Sequence, residues 1–161
     1  HGGAIGRGIS AAMDPLFNEP GVAFYSAPDC GVKVRRLIDE EAFSDPNAWT
    51  TEIVRDTRYD EGNYVSLAFS PEGNLSLSYH RCKLYNPGVE TCHPSQEALV
   101  FAYQTQGDWN FQVVRDGDGM TCGTDTSLAF SDDGIAHIAF RCIQEVAGEF
   151  EQALYTASRE F

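Results

Sequence analysis

Apolar and polar residues alternate along this chain in short runs, and Gly, Pro, Asn and Asp separate the runs. Residues 65–69 (VSLAF) and 75–79 (LSLSY) place bulky side chains on one side and small side chains on the other. A period of two residues predicts β-strands, and the turn residues between the runs predict hairpins. Helical periodicity is hard to find. The pattern therefore predicts an all-β fold.

One order of segments occurs twice in the sequence. A Trp-led segment is followed by SLAF, a Gly-containing turn, an aromatic strand that ends in Cys, and a strand beginning with Ala-Leu. Trp49 and Trp109 are 60 positions apart, and so are Cys82 and Cys142. A repeat of short strands at this period predicts an array of similar units.

A looser third copy precedes these two and defines the domain organisation. Its strands are ISAAM (residues 9–13) and GVAFYS (residues 21–26), after a Gly-rich segment at 1–8 that we predict to be irregular. Each unit has four strands with the Trp strand last, and the third unit lacks that strand. A one-residue mismatch between the copies predicts a β-bulge near His80. The predicted units span residues 9–55, 65–115 and 126–158.

These segments resemble β-propeller repeats of secreted bacterial proteins, broadly sialidase-like. The resemblance implies four-stranded antiparallel blades whose bulky and small faces pack on one another about an axis. The turns SPEG and SDDG depart from the sialidase Asp-box, because Glu72 replaces the Asp and Gly134 directly follows Asp133. The resemblance therefore implies the fold and no particular activity.

Three blades do not close a ring, because propellers use about four to eight. We expect a six- to eight-bladed ring that another protein chain or a second copy of this chain completes.

Charge and composition exclude two classes of partner. The formal net charge is -13, with 24 acidic and 11 basic residues. Such a surface repels phosphate backbones and anionic lipids, so we expect no nucleic-acid partner. No apolar run reaches the length of about 18 residues that a membrane span requires, so we expect no membrane insertion.

The five cysteines predict an oxidising compartment, and hence a secreted or periplasmic protein. Cys122 and Cys142 lie at the two ends of a predicted hairpin, and Cys82 and Cys92 can close their own loop. We predict these two disulfides, which leave Cys30 over. The alternative is a metal site, although no C-x-x-C spacing is present.

Polar residues collect at the same end of the predicted strands as the cysteines. Two arginines near the axis would bind a carboxylate or sulfate in a bidentate manner. The alternative is that each arginine pairs with a neighbouring Asp and holds a loop. The predicted ligand-binding residues are Arg81, Arg141, His80, His93, Asp60 and Asp125.

Asp116 and Asp118 form a candidate calcium site. The segment DGDG at 116–119 has the closely spaced carboxylates that begin a calcium loop, and calcium is the one cofactor that the sequence suggests. The alternative is a plain Gly-rich turn.

His137 lies in the middle of a strand, and we predict that it is buried and hydrogen-bonded between sheets.

Three functions fit these observations. The first is a secreted binding or scaffold module that contacts protein or carbohydrate through its disulfide-braced loops. The second is part of a glycan-processing hydrolase or lyase whose axial active site is completed by other blades, which requires a pair of carboxylates. The third is a structural part of a larger assembly.

Overall fold

Three antiparallel β-sheets make up the protein in the computed structural model, which describes residues 5–55, 59–83, 85–86, 91–93 and 96–160. Sheet 1 contains, in order, β1 (Ile5–Met13), β2 (Pro20–Ser26), β3 (Gly31–Leu37) and β4 (Trp49–Ile53). Sheet 2 contains β5 (Asp60–Phe69), β6 (Leu75–Cys82), β9 (Glu97–Thr105) and β10 (Asp108–Asp116). Sheet 3 contains β11 (Thr121–Phe130), β12 (Ala136–Val146) and β13 (Glu149–Arg159).

The prediction of an all-β fold is confirmed. Helical residues in the described ranges occur only in short 3-10 turns, among them Ala27–Asp29, Glu40–Ala42 and Pro46–Ala48. A small extra ladder between β7 (Tyr85–Asn86) and β8 (Thr91–Cys92) was not predicted from the sequence. Sheet 3 has three strands where the other two sheets have four.

Hydrogen-bonded turns fix the hairpins that join the first two strands of sheets 2 and 3. The Gly73 N–H donates to the Ser70 carbonyl, and the Gly134 N–H donates to the Ser131 carbonyl, both at 2.9 Å. Both glycines have positive φ, 77° and 83°. Glycine adopts this conformation without the steric cost that a Cβ atom adds, which explains the Gly in each turn.

A bulge in the first strand of each sheet accounts for the largest error in the predicted boundaries. The strands begin at Ile5, Asp60 and Thr121, four or five residues before the predicted starts at 9, 65 and 126, so residues 5–8 are not irregular. The register of β5 shifts between Asn63 and Ser66, and Asn63 lies opposite His80. The bulge predicted near His80 is therefore confirmed, with its extra residue in the facing strand.

The register corrects the alignment of the second and third units. Ser66 pairs with Ser78 in sheet 2, and Ser127 pairs with Ala139 in sheet 3. We counted along both strands from these two pairs. The pair Cys122 and Cys142 occupies the position in sheet 3 that Glu61 and Arg81 occupy in sheet 2. The sequence alignment of Arg81 with Arg141 and of Cys82 with Cys142 was therefore wrong by one position. His80 is the counterpart of Arg141.

In the first two strands of each sheet, one face carries mainly large side chains and the other mainly small ones, and we call the two sides of the sheet its bulky face and its small face. On β5 the bulky face carries Val65, Leu67 and Phe69, and the small face carries Ser66 and Ala68. The bulky face of sheet 2 packs on the small face of sheet 1, and together they form one buried core. That core includes Ala23, Val32, Val34, Leu67, Phe69, Leu75, Leu77, Tyr79 and Val100.

The small face of sheet 2 forms a second core with the bulky face of sheet 3. Its buried members are Leu99, Phe101, Cys122, Leu128, Ala136, Ile138, Phe140 and Cys142. Small residues on one sheet allow close approach of the larger residues on the next, which gives the dense packing of protein interiors. Sheet 2 is therefore covered on both faces, whereas sheets 1 and 3 are each covered on one.

Polar contacts set the register between consecutive sheets. The hydroxyl oxygen of Ser10 accepts the backbone N–H of Leu67 at 2.9 Å, and that of Ser66 accepts the backbone N–H of Leu128 at 3.0 Å. Backbone of one sheet also closely approaches the previous sheet at Gly62, where a Cβ atom would lie 2.7 Å from the Cβ of Val32. The sheets therefore stack in one defined register.

The Gly62→Ala substitution tests this close approach, with Gly119→Ala as the matched control. Gly62 (φ 111°) and Gly119 (φ 87°) both have positive φ, but a Cβ on Gly119 would meet nothing within 4 Å. We expect Gly119→Ala to lower the free energy of unfolding by about 1–2 kcal/mol through backbone strain. Gly62→Ala adds overpacking and should cost roughly 2–5 kcal/mol. Urea unfolding measures both, and equal costs would show that the contact with Val32 imposes no constraint.

Candidate functional site

Two disulfides lie at the end of the sheets where the candidate site was predicted from the sequence. Cys82 is bonded to Cys92, next to the β7–β8 ladder, and Cys122 is bonded to Cys142 across the β11–β12 ladder. Cys30 is a free and exposed thiol. Both predicted disulfides and the leftover cysteine are confirmed. We call the surroundings of the Cys82–Cys92 disulfide the loop end.

The centre of the loop end is a buried pair formed by His80 and Glu97. The Nε2 atom of His80 lies 3.1 Å from Oε2 of Glu97. The hydroxyl of Thr121, at the start of sheet 3, donates to Oε1 of the same carboxylate at 3.2 Å. Because both carboxylate oxygens are engaged, Glu97 joins sheet 2 to sheet 3 at this end.

Glu97 and Thr121 were missed in the sequence analysis. Glu97 directly precedes the ALVFAY strand and faces Cys82 in the β6–β9 ladder. A carboxylate that opens an otherwise apolar strand was the available signal, since a buried charge requires a partner. Thr121 carried no comparable signal.

Arg81 is buried beside this pair and contacts Asp116. Its Nη2 atom lies 4.0 Å from Oδ1 of the largely exposed Asp116. Among the described residues, the buried atoms Nε of Arg81 and Nδ1 of His80 have no hydrogen-bond partner. These two atoms are positions that a bound water or a polar ligand would satisfy.

Arg141 pairs within its own sheet. Its Nη2 atom lies 2.6 Å from Oδ2 of Asp125, and its Nη1 donates to Gln152 at 3.0 Å. Arg81 likewise pairs within sheet 2, so the geometry matches the alternative in which each arginine holds a neighbouring Asp. The two arginines lie in different sheets, and each pairs with an Asp of its own sheet.

The remaining predicted site residues lie apart from the His80–Glu97 pair. Asp60 accepts a hydrogen bond from the side-chain amide of Asn63 at 3.3 Å. His93 is exposed beside Cys92. Asp118 is exposed in a turn closed by the Met120 N–H and the Gly117 carbonyl at 2.8 Å.

No group of three or more His, Cys, Asp or Glu residues in the described ranges is placed to hold a metal ion. The calcium prediction for Asp116 and Asp118 thus gains no support, because Asp116 contacts Arg81 and the segment forms a Gly-rich turn.

His137 corrects a further expectation. Its side chain is exposed, and its Nδ1 lies 3.0 Å from the hydroxyl of Ser158. The predicted hydrogen bond is present, but the burial is not. His137 lies on the small face of sheet 3, which no sheet in the described part of the chain covers.

A second buried polar cluster joins sheets 1 and 2. The fully buried Glu61 accepts a hydrogen bond from the Tyr79 hydroxyl at 3.1 Å, and Nη1 of Arg55 lies 3.5 Å from its other oxygen. The Arg55 guanidinium also lies over the Phe111 ring, 4.6 Å from its centroid. Burial, and then the adjacent Glu61 carboxylate, raises the pKa of Tyr79 well above its ordinary value.

These contacts bear on the enzyme alternative. A glycosidase requires two carboxylates that flank one substrate bond. Glu97 and Asp116 each contact a basic side chain of sheet 2. Glu97 also accepts the Thr121 hydroxyl of sheet 3.

Compared with models of known protein families and with curated proteins, the sequence matches none. Within the described residues, no helix has the length and apolar character needed to cross a membrane. The two disulfides are consistent with an extracellular or periplasmic protein.

Tyr79→Phe tests the Glu61 cluster through the pH dependence of stability. A folded-state pKa above the unfolded value of about 10 means that the protonated phenol stabilises the fold below pH 10. This contribution is lost as the pH rises above that value. We expect the free energy of unfolding to fall more steeply between pH 9.5 and 11.5, roughly, in the wild type than in Tyr79→Phe.

At neutral pH the same substitution should cost about 1–2 kcal/mol, because it leaves one oxygen of the buried Glu61 without its donor. Tyr155→Phe, at an exposed tyrosine, is the control and should leave both quantities unchanged. Identical pH profiles for the wild type and Tyr79→Phe, followed by circular dichroism, would contradict the assignment.

Proposed function

We propose that this chain is a propeller-type binding and scaffold module that works outside the cytoplasm and contacts other protein through the end faces of its stack of sheets. The observation that carries the proposal is the exposed bulky face of sheet 1. Ile9 and Met13 are 64% and 51% exposed, whereas Val65 and Phe69, at the same positions of sheet 2, are 6% and 9% exposed. Exposed apolar patches of this kind mark interaction sites.

The stacking of the sheets supports the propeller-type architecture. The first strands β1, β5 and β11 are neighbours, joined by the Ser10–Leu67 and Ser66–Leu128 hydrogen bonds. Antiparallel sheets that pack face to face, with their first strands together, are arranged as propeller blades are about an axis. Three such sheets supply part of a ring of about four to eight blades, and other protein would complete it.

Location outside the cytoplasm is supported by the two disulfides. Cys122 and Cys142 are buried in the core between sheets 2 and 3. Such bonds persist in oxidising compartments and are rare in the reducing cytosol. We therefore place the module in a secreted or periplasmic setting.

Site-specific photo-cross-linking in the producing cells tests the proposed contact surface. A benzophenone amino acid replaces Met13 on the end face, Val113 on the central sheet or His93 at the loop end. We expect position 13 to give a cross-linked protein adduct in high yield, because a partner covers it. Val113 is also exposed and apolar, so position 113 is the matched control.

Two outcomes would contradict the end-face proposal. If positions 13 and 113 cross-link equally weakly, no protein covers the end face. If position 93 alone gives an adduct, the partner binds at the loop end instead.

A second proposal is that the loop end binds a polar ligand, with carbohydrate as the ligand class. The observation in its favour is that a buried polar atom of His80 and one of Arg81, in the strand that ends at Cys82, have no hydrogen-bond partner among the described residues. Binding to a glycan array by the wild type, weakened at least tenfold by Arg81→Met, would support it. An array without any bound glycan would exclude it.

A further inference from the structure

We infer that the partner on the end faces is a second copy of this chain, bound head to tail. The bulky face of sheet 1 in one copy then covers the small face of sheet 3 in the other. The inference rests on the proposed function and adds the identity of the partner and the register of the contact. Two copies bring six sheets together, which lies within the range of about four to eight for closed propellers.

Three serines at equivalent positions in the three sheets define the register of the contact between the two copies. Ser10, Ser66 and Ser127 occupy the same ladder position, opposite Ala23, Ser78 and Ala139. The first two each accept a backbone N–H from the next sheet. Ser127 is exposed and has no next sheet in the described part of the chain.

Sheet 1 contains the N–H group that would donate to Ser127 of a second copy. The N–H groups that bind Ser10 and Ser66 belong to Leu67 and Leu128, which lie opposite Leu77 and Ile138. The residue at this position in sheet 1 is Ala11, opposite Val22, and it is exposed. The hydroxyl of Ser127 in one copy would accept the Ala11 N–H of the other.

A second series lies on the third strand of each sheet. Val32, Leu99 and Leu154 lie opposite Tyr25, His80 and Arg141, which are counterparts in the three hairpins. Gly62 and Gly123 of the following sheet pack directly on Val32 and Leu99. Leu99 is 0% exposed, whereas Leu154 is 77% exposed. The same kind of sheet that buries Leu99 would bury Leu154.

One chain carries both halves of the junction, which is why we assign the partner as a second copy. Sheet 1 supplies the bulky face and the Ala11 donor, and sheet 3 supplies the small face and the Ser127 acceptor. The two junctions inside the chain already show how such faces fit. Two copies related by a twofold axis form this contact twice and leave neither end face exposed.

Sedimentation velocity and light scattering on the purified, oxidised chain test the inference. We expect a species of twice the chain mass of 17.7 kDa that dissociates on dilution. Met13→Asp and Leu154→Asp should each give a monomer, because each places a charge in one half of the junction. Val113→Asp, at an exposed position of the central sheet, should leave the dimer intact. Thermal unfolding confirms that each variant is folded.

Mixing the two monomeric variants distinguishes a head-to-tail dimer from one in which sheet 1 of each copy meets sheet 1 of the other. Met13→Asp retains an intact sheet 3 face, and Leu154→Asp retains an intact sheet 1 face. An equimolar mixture should therefore form a heterodimer through one junction. If the Leu154→Asp variant is still a dimer, the contact joins sheet 1 to sheet 1, and the inference is overturned.

Ser127→Ala tests the register with a milder change. Loss of one interfacial hydrogen bond per junction should raise the dissociation constant about fivefold per junction, and about 25-fold for the closed dimer. An unchanged dissociation constant would show that the two copies do not associate in the register of the internal junctions.

The failure of this inference is distinguishable from that of the proposed function. If the purified chain remains a monomer at about 100 μM, above the concentrations at which stable dimers form, the second copy is excluded. Cross-linking of position 13 to a different protein would then retain the end face as a contact surface. A monomer together with an absence of cross-links at position 13 would overturn both.

Discussion

The structure depends on one repeated contact: a serine hydroxyl of one sheet accepts a backbone N–H of the next. Ser10 and Ser66 make this bond at nearly the same distance, 2.9 and 3.0 Å. A serine is small enough to let two β-sheets approach, and its oxygen accepts an amide N–H from the edge strand of the next sheet. Close packing and polar satisfaction are thereby achieved by the same residue, which gives the stack its fixed register.

The bulge explains why the first strands take this arrangement. Gly8, Tyr64 and Asp125 have positive φ, two residues before Ser10, Ser66 and Ser127. A positive φ in a residue other than glycine is sterically costly, so the tertiary contacts must hold Tyr64 and Asp125 in place. Asp125 is bound by Arg141, and the Tyr64 ring packs edge-on to His80. Some of the predicted site residues therefore maintain the backbone geometry.

Much of the fold could be predicted because its signals are local. Alternating side-chain size predicted the strands, and Gly with Asn or Asp predicted the turns. The Cys122–Cys142 disulfide followed from the two ends of a hairpin, and the Cys82–Cys92 disulfide from closure of its own loop. The strand starts and the alignment were wrong because the first strand of each hairpin contains two register shifts, which interrupt the alternation on which the strand prediction depended. The error of one position that placed Arg81 beside Arg141 arose in the same way.

The candidate site was predictable only in part, because its partners come from distant strands. His80 was singled out from the sequence, but its partner Glu97 lies on the neighbouring strand β9, and Thr121 reaches Glu97 through the packing of sheets 2 and 3. Glu61 was missed for the same reason, since its partners are Tyr79 on β6 and Arg55 just after β4. A sequence read along one strand at a time does not reveal which charge a neighbouring sheet neutralises.

The three-stranded sheet 3 leaves β13 as an edge strand of eleven residues, whose outer side is unpaired within the described part of the chain. A long edge of this kind is a template for uncontrolled strand addition. Glu149 and Glu151 near its start and Arg159 at its end place charges where an incoming strand would have to lie. The acidic residues near the start of β13 thus have a local use: they discourage uncontrolled strand addition along this edge.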